Sequence, residues 1–383
     1  MNYKSRLITF GLLNITIILA GVTAIVTYDP LHIYHKQWLT SDGNDRFHKN
    51  MRLQAAGIIN NYDFDSIIIG TSMLKGTSAK EASKKLGGKF VNLSMNASST
   101  MERKYIIDYA LRQKDINRII LTFDTGLEQH TKTHKKFPLE KYSFLYDDSI
   151  FNDLKVYWND KFITCLLKWS KSKSCIGEKR KLQRTKDWFN KLYRKNSKIS
   201  GVENWVTNKK GRWNRVVAPN FISHLEHPIK SEDEYLEKLK LTKQIIDDSL
   251  FSVIRKNEEV RFDVVLPPYS RFLYALWREK NPYKYQLYLD TMKYLIYRGE
   301  KFHNLSVFSF DDMQYLENLN NYSDMRHYNI DMNATMLALM SEEKSVISVD
   351  NIEFFIDIIG EKNKHYKSDE ELEYLLNNLS DRI

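Results

Sequence analysis

Leu7 through Tyr28, LITFGLLNITIILAGVTAIVTY, is a run of 22 residues without a single Asp, Glu, Lys, Arg or His. At about 1.5 Å rise per residue it makes roughly 33 Å of helix, enough to cross a hydrocarbon core of about 30 Å. Its Thr and Asn side chains lower the hydropathy, but they can bond within the helix or to a partner helix. A buried soluble helix is the competing reading. The length of the run, its terminal position and the preceding Lys4 and Arg6 favour a membrane span with the amino end in the cytoplasm. Val22-Thr23-Ala24 offers a small-residue cleavage site, yet the apolar run continues through it to Tyr28. An uncleaved signal anchor is therefore preferred to a removed signal peptide. The expectation is a single-pass membrane protein that meets the lipid bilayer through residues 7–28. Its C-terminal domain then lies in the periplasm or otherwise outside the cytoplasmic membrane.

The remaining sequence is that of a foldable globular chain, 42% hydrophobic and 28% charged over 383 residues. Two cysteines, Cys165 and Cys175, exclude a disulfide-scaffolded fold and a four-thiolate zinc site. In an exported domain they either pair or remain free thiols. The 58 Lys+Arg against 48 Asp+Glu leave a formal +10, which suits nucleic acid, anionic lipid or a polyanionic glycan. No zinc-finger spacing or aromatic sheet signature accompanies that charge, so nucleic acid is not an expected partner.

The organisation expected is an anchor over 1–28, a membrane-proximal segment over 29–58, an α/β domain over 59–345 and an extension over 346–383 packed on that domain. Asp65-Ser66-Ile67-Ile68-Ile69-Gly70 reads as a strand ending in a turn. Ser78 with Glu81 forms a capping box for a helix that stops at Gly87. Lys89–Ser94 is a second strand, Ser99 with Glu102 caps a helix over Thr100–Arg112, and Ile119–Phe123 is a third strand. Strands alternating with helices predict an α/β fold with a parallel sheet flanked by helices. A basic, aromatic-rich insertion at about 127–225 breaks this rhythm. A helix around Ser231–Lys256, a strand over Arg261–Leu266, a helix around Tyr283–Arg298 and a last strand over Leu305–Phe310 restore it.

Functional loops of an open parallel sheet gather at the carboxyl ends of its strands. Ser72, in Gly70-Thr71-Ser72, follows the first strand there. A neutral hydroxyl is a weak nucleophile and needs a base. His327 can supply one imidazole nitrogen for that purpose, and Asp324, three residues earlier, can orient the other. Taken singly, Ser72 reads equally as a turn or capping serine, and Asp-x-x-His as a surface cap. Asp324, His327 and Asp331 can also be imagined as a metal set, but sequence does not establish their convergence, and neither a metal nor a cofactor is expected. Trp158, Trp169, Trp188, Trp205 and Trp213 suit sugar stacking, although packing explains them as well.

In combination, the Gly-x-Ser block, the Asn92-Leu93-Ser94-Met95-Asn96-Ala97 block and the late Asp324-Met325-Arg326-His327 block resemble SGNH/GDSL-type hydrolases. The Asp29-Pro30 after the anchor and Leu266-Pro267-Pro268-Tyr269-Ser270 extend the resemblance to the membrane-anchored, DltD-like or alginate-acetylation-like branch. The resemblance implies Ser72 as nucleophile, His327 as base and Asp324 as its orienter. It also implies oxyanion or substrate contacts from Asn96, Ala97, Asp124, Thr125 and Tyr269. The usual second-block glycine is replaced around Asn96 and Ala97, and Phe123-Asp124-Thr125-Gly126 replaces the familiar Gly-x-Asn-Asp. A carboxylate at Asp124 opposes a forming oxyanion, so it instead binds a substrate hydroxyl, orients a loop or simply ends a strand. The activity implied is serine-dependent O-acyl transfer or ester hydrolysis on a cell-envelope or extracellular polysaccharide, with a membrane acyl-donor protein as a further partner. An inactive, SGNH-like glycan-binding or assembly protein is the alternative.

Overall fold

The computed structural model describes residues 3–39, 45–124, 138–180, 182, 199–207, 213–214, 216–226 and 228–380. The chain divides into two compact units. One comprises Met1–Asp63, Tyr105–Lys114 and Lys135–Leu182, and the other Phe64–Lys104, Asp115–His134 and Gln183–Ile383. Residues 135–182 of the expected insertion thus fold with the amino-terminal segment, whereas the described part of 199–225 folds with the sheet. These boundaries differ from the linear division read from the sequence, because the amino-terminal polar segment finds its hydrogen-bond partners far along the chain.

The first unit begins with a helix over Tyr3–Tyr28, long and apolar enough to cross a membrane, with a mean hydropathy of 2.1. Its large apolar side chains, among them Leu7, Phe10, Ile15 and Leu19, are exposed. Thr9, Asn14 and Thr16 donate back to the carbonyls of Ser5, Phe10 and Leu12 at 2.8–2.9 Å, so the polar residues of the run satisfy themselves within the helix. Asp29 follows at φ 28° and is fully buried. Its carboxylate accepts the N–H groups of Ile33, Tyr34 and His35 at 2.9, 2.7 and 3.1 Å, and the Tyr157 hydroxyl. Burial holds the Asp29 carboxyl above its ordinary value, and these four donors offset only part of that shift.

The turn made by Asp29 lies against the helix Met51–Asn61. Gln54 and Asn61 donate to the Leu31 and His32 carbonyls, each at 2.7 Å. A Cβ on Gly57 would meet the Leu31 carbonyl oxygen at 2.1 Å, so only glycine permits this approach. Arg46–Phe47 pairs antiparallel with Glu178–Lys179. Cys165 and Cys175 form a disulfide with their Cα atoms 5.6 Å apart, which resolves the alternative left open by the sequence. The bridge packs among Tyr28, Leu39 and Ile176.

The second unit is built on six strands: β1 (Ser66–Ile69), β2 (Phe90–Asn92), β3 (Arg118–Thr122), β4 (Arg261–Leu266), β5 (Leu305–Ser309) and β6 (Val346–Ile347). Their spatial order is β2-β1-β3-β4-β5-β6. The first five are mutually parallel and β6 is antiparallel to β5. The sheet is therefore mixed rather than purely parallel, and the expected extension over 346–383 contributes its edge strand. Two residues are too few to show a strand period. Runs such as Ile67-Ile68-Ile69 and Ile119-Ile120-Leu121 are buried on both faces, as a helix-covered parallel sheet requires.

The first capping signal supplies the N-cap bond and the second closes the whole box. Ser78 accepts the Glu81 N–H at 3.2 Å. Ser99 and Glu102 exchange both bonds of a capping box, at 2.8 and 3.2 Å. The helix expected over 231–256 runs as Glu232–Ile245, a π-helical turn at Ile246–Phe251, and Ser252–Lys256.

Asp29→Ala strands the N–H groups of Ile33, Tyr34 and His35 and the Tyr157 phenol at once, and is expected to destabilise the first unit by roughly 3 kcal/mol. Hydrogen exchange across residues 29–63 of the full chain in detergent measures this. Protection equal to the parent's would show that the carboxylate does not organise the segment.

Candidate active site

In the order β2-β1-β3-β4-β5 the winding of the sheet switches sides between β1 and β3, two parallel strands, and the carboxyl ends at such a switch point are where an open α/β sheet places its functional crevice. Gly70 ends β1 at this point. A Cβ there would meet Thr122 Oγ1 at 2.9 Å and Leu74 Cβ at 3.1 Å, so the two strand ends close on each other without a side chain between them. The Thr71 N–H then donates to Thr122 Oγ1 at 3.2 Å. The following turn presents Ser72.

Ser72 Oγ lies 2.8 Å from His327 Nε2. His327 Nδ1 lies 2.8 and 2.9 Å from the two oxygens of Asp324. Asp324 Oδ1 also accepts the backbone N–H groups of Arg326 and His327, at 3.0 and 2.9 Å. The same short side chain thus shapes the turn and orients the imidazole. A carboxylate only accepts, so the Nδ1 proton belongs to the contact with Asp324. Nε2 is left as the acceptor for the Ser72 hydroxyl. Asp324 is buried, while the His327 side chain keeps 29% of its surface exposed, so the base is reachable from solvent and its orienter is not.

Other side chains hold the loops of the triad in place. Tyr328 donates to the Met73 carbonyl at 2.9 Å, tying the histidine loop directly to the serine turn. Burial, followed by the nearby Asp124 charge, raises the Tyr328 phenol well above its ordinary range and keeps it a donor. Ser270 donates from Oγ to the Met325 carbonyl at 2.7 Å, and Ser323 N–H to the His327 carbonyl at 2.8 Å. The loop after β2 is fastened to Gly70 as well. Ser94 Oγ accepts the Gly70 N–H at 3.0 Å, and the Met95 N–H donates to the Gly70 carbonyl at 2.8 Å. Arg103, fully buried, donates to the Ser98 carbonyl at 2.7 Å and to the Thr122 carbonyl at 3.1 Å, joining this loop to the end of β3.

Asn96 and Ala97 form the exposed tip of that loop. Asn96 Oδ1 accepts from Lys75 Nζ at 3.2 Å, which places the tip over the serine turn. Ala97 adopts φ 48°, a left-handed conformation in which glycine is unstrained. Asp124 and Tyr269 are also brought together, but with each other and beneath the surface. Tyr269 donates to Asp124 Oδ1 at 3.1 Å, and both residues are buried. This corrects the expectation that they face substrate. Asp124 ends a strand covered on both sides, and its carboxylate organises neighbouring phenols instead. Its Oδ2 has no hydrogen-bond partner among the described residues. Thr125 lies outside the described residues. Asp331 accepts from Tyr315 at 3.1 Å, and among the described residues it does not join Asp324 and His327 in a metal-binding cluster.

A cavity of about 940 Å³ is lined by Gly201, Tyr315, Asn318 and Asn321 among others, and not by the triad. Sequence reading found the three triad residues because each sits in a short spaced motif. It missed the fastening roles of Ser94, Arg103 and Tyr328, whose partners are chiefly backbone carbonyls and amides. Ser94 carried a signal as a member of the second block and Tyr328 as the neighbour of His327, whereas Arg103 carried none.

The arrangement can remove a proton from Ser72 Oγ as that oxygen attacks an electrophilic carbon, and can return the proton to a leaving group. No protein-family model and no curated protein matches this sequence.

Tyr328→Phe removes the hydroxyl that joins the two loops while leaving all three triad side chains. The labelling rate of Ser72 by a fluorophosphonate is expected to fall about tenfold, with a stability loss of about 1–3 kcal/mol. Mass spectrometry of the labelled protein and thermal melting measure the two effects. An unchanged labelling rate would remove Tyr328 from the positioning role.

Proposed function

We propose that this chain is a membrane-anchored, SGNH-like serine esterase or O-acyltransferase that acts on a cell-envelope or extracellular polysaccharide. The observation that carries the proposal is the continuous contact of Ser72 Oγ, His327 and Asp324 at 2.8 Å per step, between residues 255 positions apart. The resemblance noted in the three sequence blocks supports the SGNH reading, as does a strained Ala97 in the second block. The apolar helix over Tyr3–Tyr28 supports anchoring, and the Lys4 and Arg6 flank supports an exported catalytic unit.

In this reading His327 Nε2 takes the Ser72 proton while Oγ forms a bond to the ester carbonyl carbon. Asp324 stabilises the resulting imidazolium and holds its ring in line. The negative charge gathering on the carbonyl oxygen needs donors, for which the Ser72 N–H and those at Asn96 and Ala97 are the candidates. Collapse breaks the bond to the leaving oxygen, which receives the proton from His327, and leaves acyl-Ser72. Water, or a sugar hydroxyl deprotonated by His327, then attacks the acyl carbon and releases the serine. Hydrolysis and transfer share every step but the last acceptor. A membrane protein that delivers acyl groups is the partner required by the transfer branch.

Ser72→Ala and His327→Ala are each expected to lower kcat for p-nitrophenyl acetate by about 10⁵–10⁶-fold, and Asp324→Asn by about 10⁴-fold. Circular dichroism of the same samples checks that the fold persists. Turnover retained by Ser72→Ala would refute the acyl-serine route.

A further inference from the structure

Arg326 lies inside the Asp-x-x-His turn, next to the candidate base, and nothing in the acyl chemistry uses its side chain. Its Nη2 is 2.7 Å from His224 Nε2, and its buried Nε has no hydrogen-bond partner among the described residues. On the other edge of the His224 ring, Trp277 Nε1–H points at Nδ1 from 3.1 Å. Lys284 Nζ lies 5.2 Å from the centroid of the same Trp277 ring. No ion pair joins Arg326 or Lys284 to a carboxylate among the described residues. Lys284 also occupies the first turn of the helix Pro282–Gly299, where the peptide dipoles already present positive charge.

We propose that Arg326, His224 and Lys284 form an anion-binding site beside the candidate triad, one that takes a carboxylate or phosphate group.

Three features converge on this assignment. First, His224 has a hydrogen-bond donor against each ring nitrogen, while a neutral imidazole has one acceptor only. One of the two contacts is therefore donor against donor. An anion that accepts from both Arg326 and His224 relieves the conflict, the two nitrogens parting from their 2.7 Å contact: Nε2 carries the proton and donates to the anion, and Nδ1 accepts from Trp277. Second, burial and then the charges of Arg326 and Lys284 push the His224 imidazole far down, so the ring itself adds no positive charge to the cluster. Third, burial and then Arg326 and Lys238 push the Lys284 ammonium down to about 7, the mark of a cation held without a counter-charge. Lys238 has its own partner in Glu234 at 3.3 Å, so the uncompensated pair is Arg326 and Lys284. A guanidinium with a fork of donors and a nearby ammonium suit the planar or tetrahedral oxygens of such an anion.

The site stands on this geometry and not on the acyl-transfer reading. Only the further step, that the anion belongs to the substrate polymer, rests on that reading.

The test uses the full chain in detergent micelles, with inorganic phosphate and acetate as probes in equilibrium dialysis. A uronate trisaccharide and a polyol-phosphate trimer, run in parallel, separate polymer-borne anions from free ones. Saturable binding of phosphate or acetate is expected, weakened about tenfold or more in both Arg326→Gln and Lys284→Met and largely retained in Arg326→Lys. In ¹⁵N-histidine spectra the bound form should place the His224 proton on Nε2. Ser72→Ala should bind the probes as the parent does, so loss of ester turnover and loss of anion binding are separable failures. Absence of saturable binding in the folded parent, or binding that both charge-removing variants leave unchanged, would overturn the site.

Discussion

Two parallel strands end against each other at Gly70 with no room for a methyl group, and the geometry of the candidate site follows from that closeness. Thr122 reaches across to the Thr71 N–H, and the loop after β2 hydrogen-bonds both the N–H and the carbonyl of Gly70. The ends of β1 and β3 and the loop after β2 are thereby fixed together at Gly70 and Thr71 before any catalytic side chain is considered. A serine placed two residues later inherits this rigidity. Positioning of this kind is what a reacting pair requires, because a displacement of about 1 Å can cost about 10²-fold in rate.

The histidine arrives from a different part of the chain, and its loop is equally over-determined. Asp324 serves the backbone turn and the imidazole with the same carboxylate, so the turn cannot relax without misaligning the ring. Tyr328 then crosses to the Met73 carbonyl. The Ser72–His327 hydrogen bond is thus backed by a second direct link between these loops, and the phenol shares the entropic cost of holding them together.

Much of this was legible because the signals were local. A charge-free run of 22 residues, two capping boxes and a three-residue Asp-to-His spacing each lie within a short window. The Cys165–Cys175 pairing was not, since the basic sequence between two cysteines ten positions apart carries no period that reveals Cα atoms 5.6 Å apart. Nor was the assignment of residues 135–182 to the amino-terminal unit. That depends on Tyr157 finding the Asp29 carboxylate and Cys175 packing beside Tyr28, contacts spanning well over a hundred positions. Which of the three readings of Asp124 holds, a substrate contact, a loop orienter or a strand end, was not legible either, because its carboxylate is buried against Tyr269. The burial of Tyr269 above it is a tertiary fact with no counterpart in the local sequence.

The same side chain type appears twice around this turn in opposite electrostatic settings, and the contrast bears on what the site accepts. His327 meets an acceptor at Nδ1 and a donor at Nε2, so its neutral form is complete without any ligand. His224 meets donors at both nitrogens and is incomplete in every neutral tautomer. Between the two rings lies Arg326, whose backbone serves the first arrangement through Asp324 and whose side chain is left to the second. An anion held by that guanidinium would sit one residue from the candidate base while the Asp324–His327–Ser72 contacts stayed intact. Charge recognition and proton transfer would then be carried by different atoms of a single turn, so that an anion could be selected without perturbing the base.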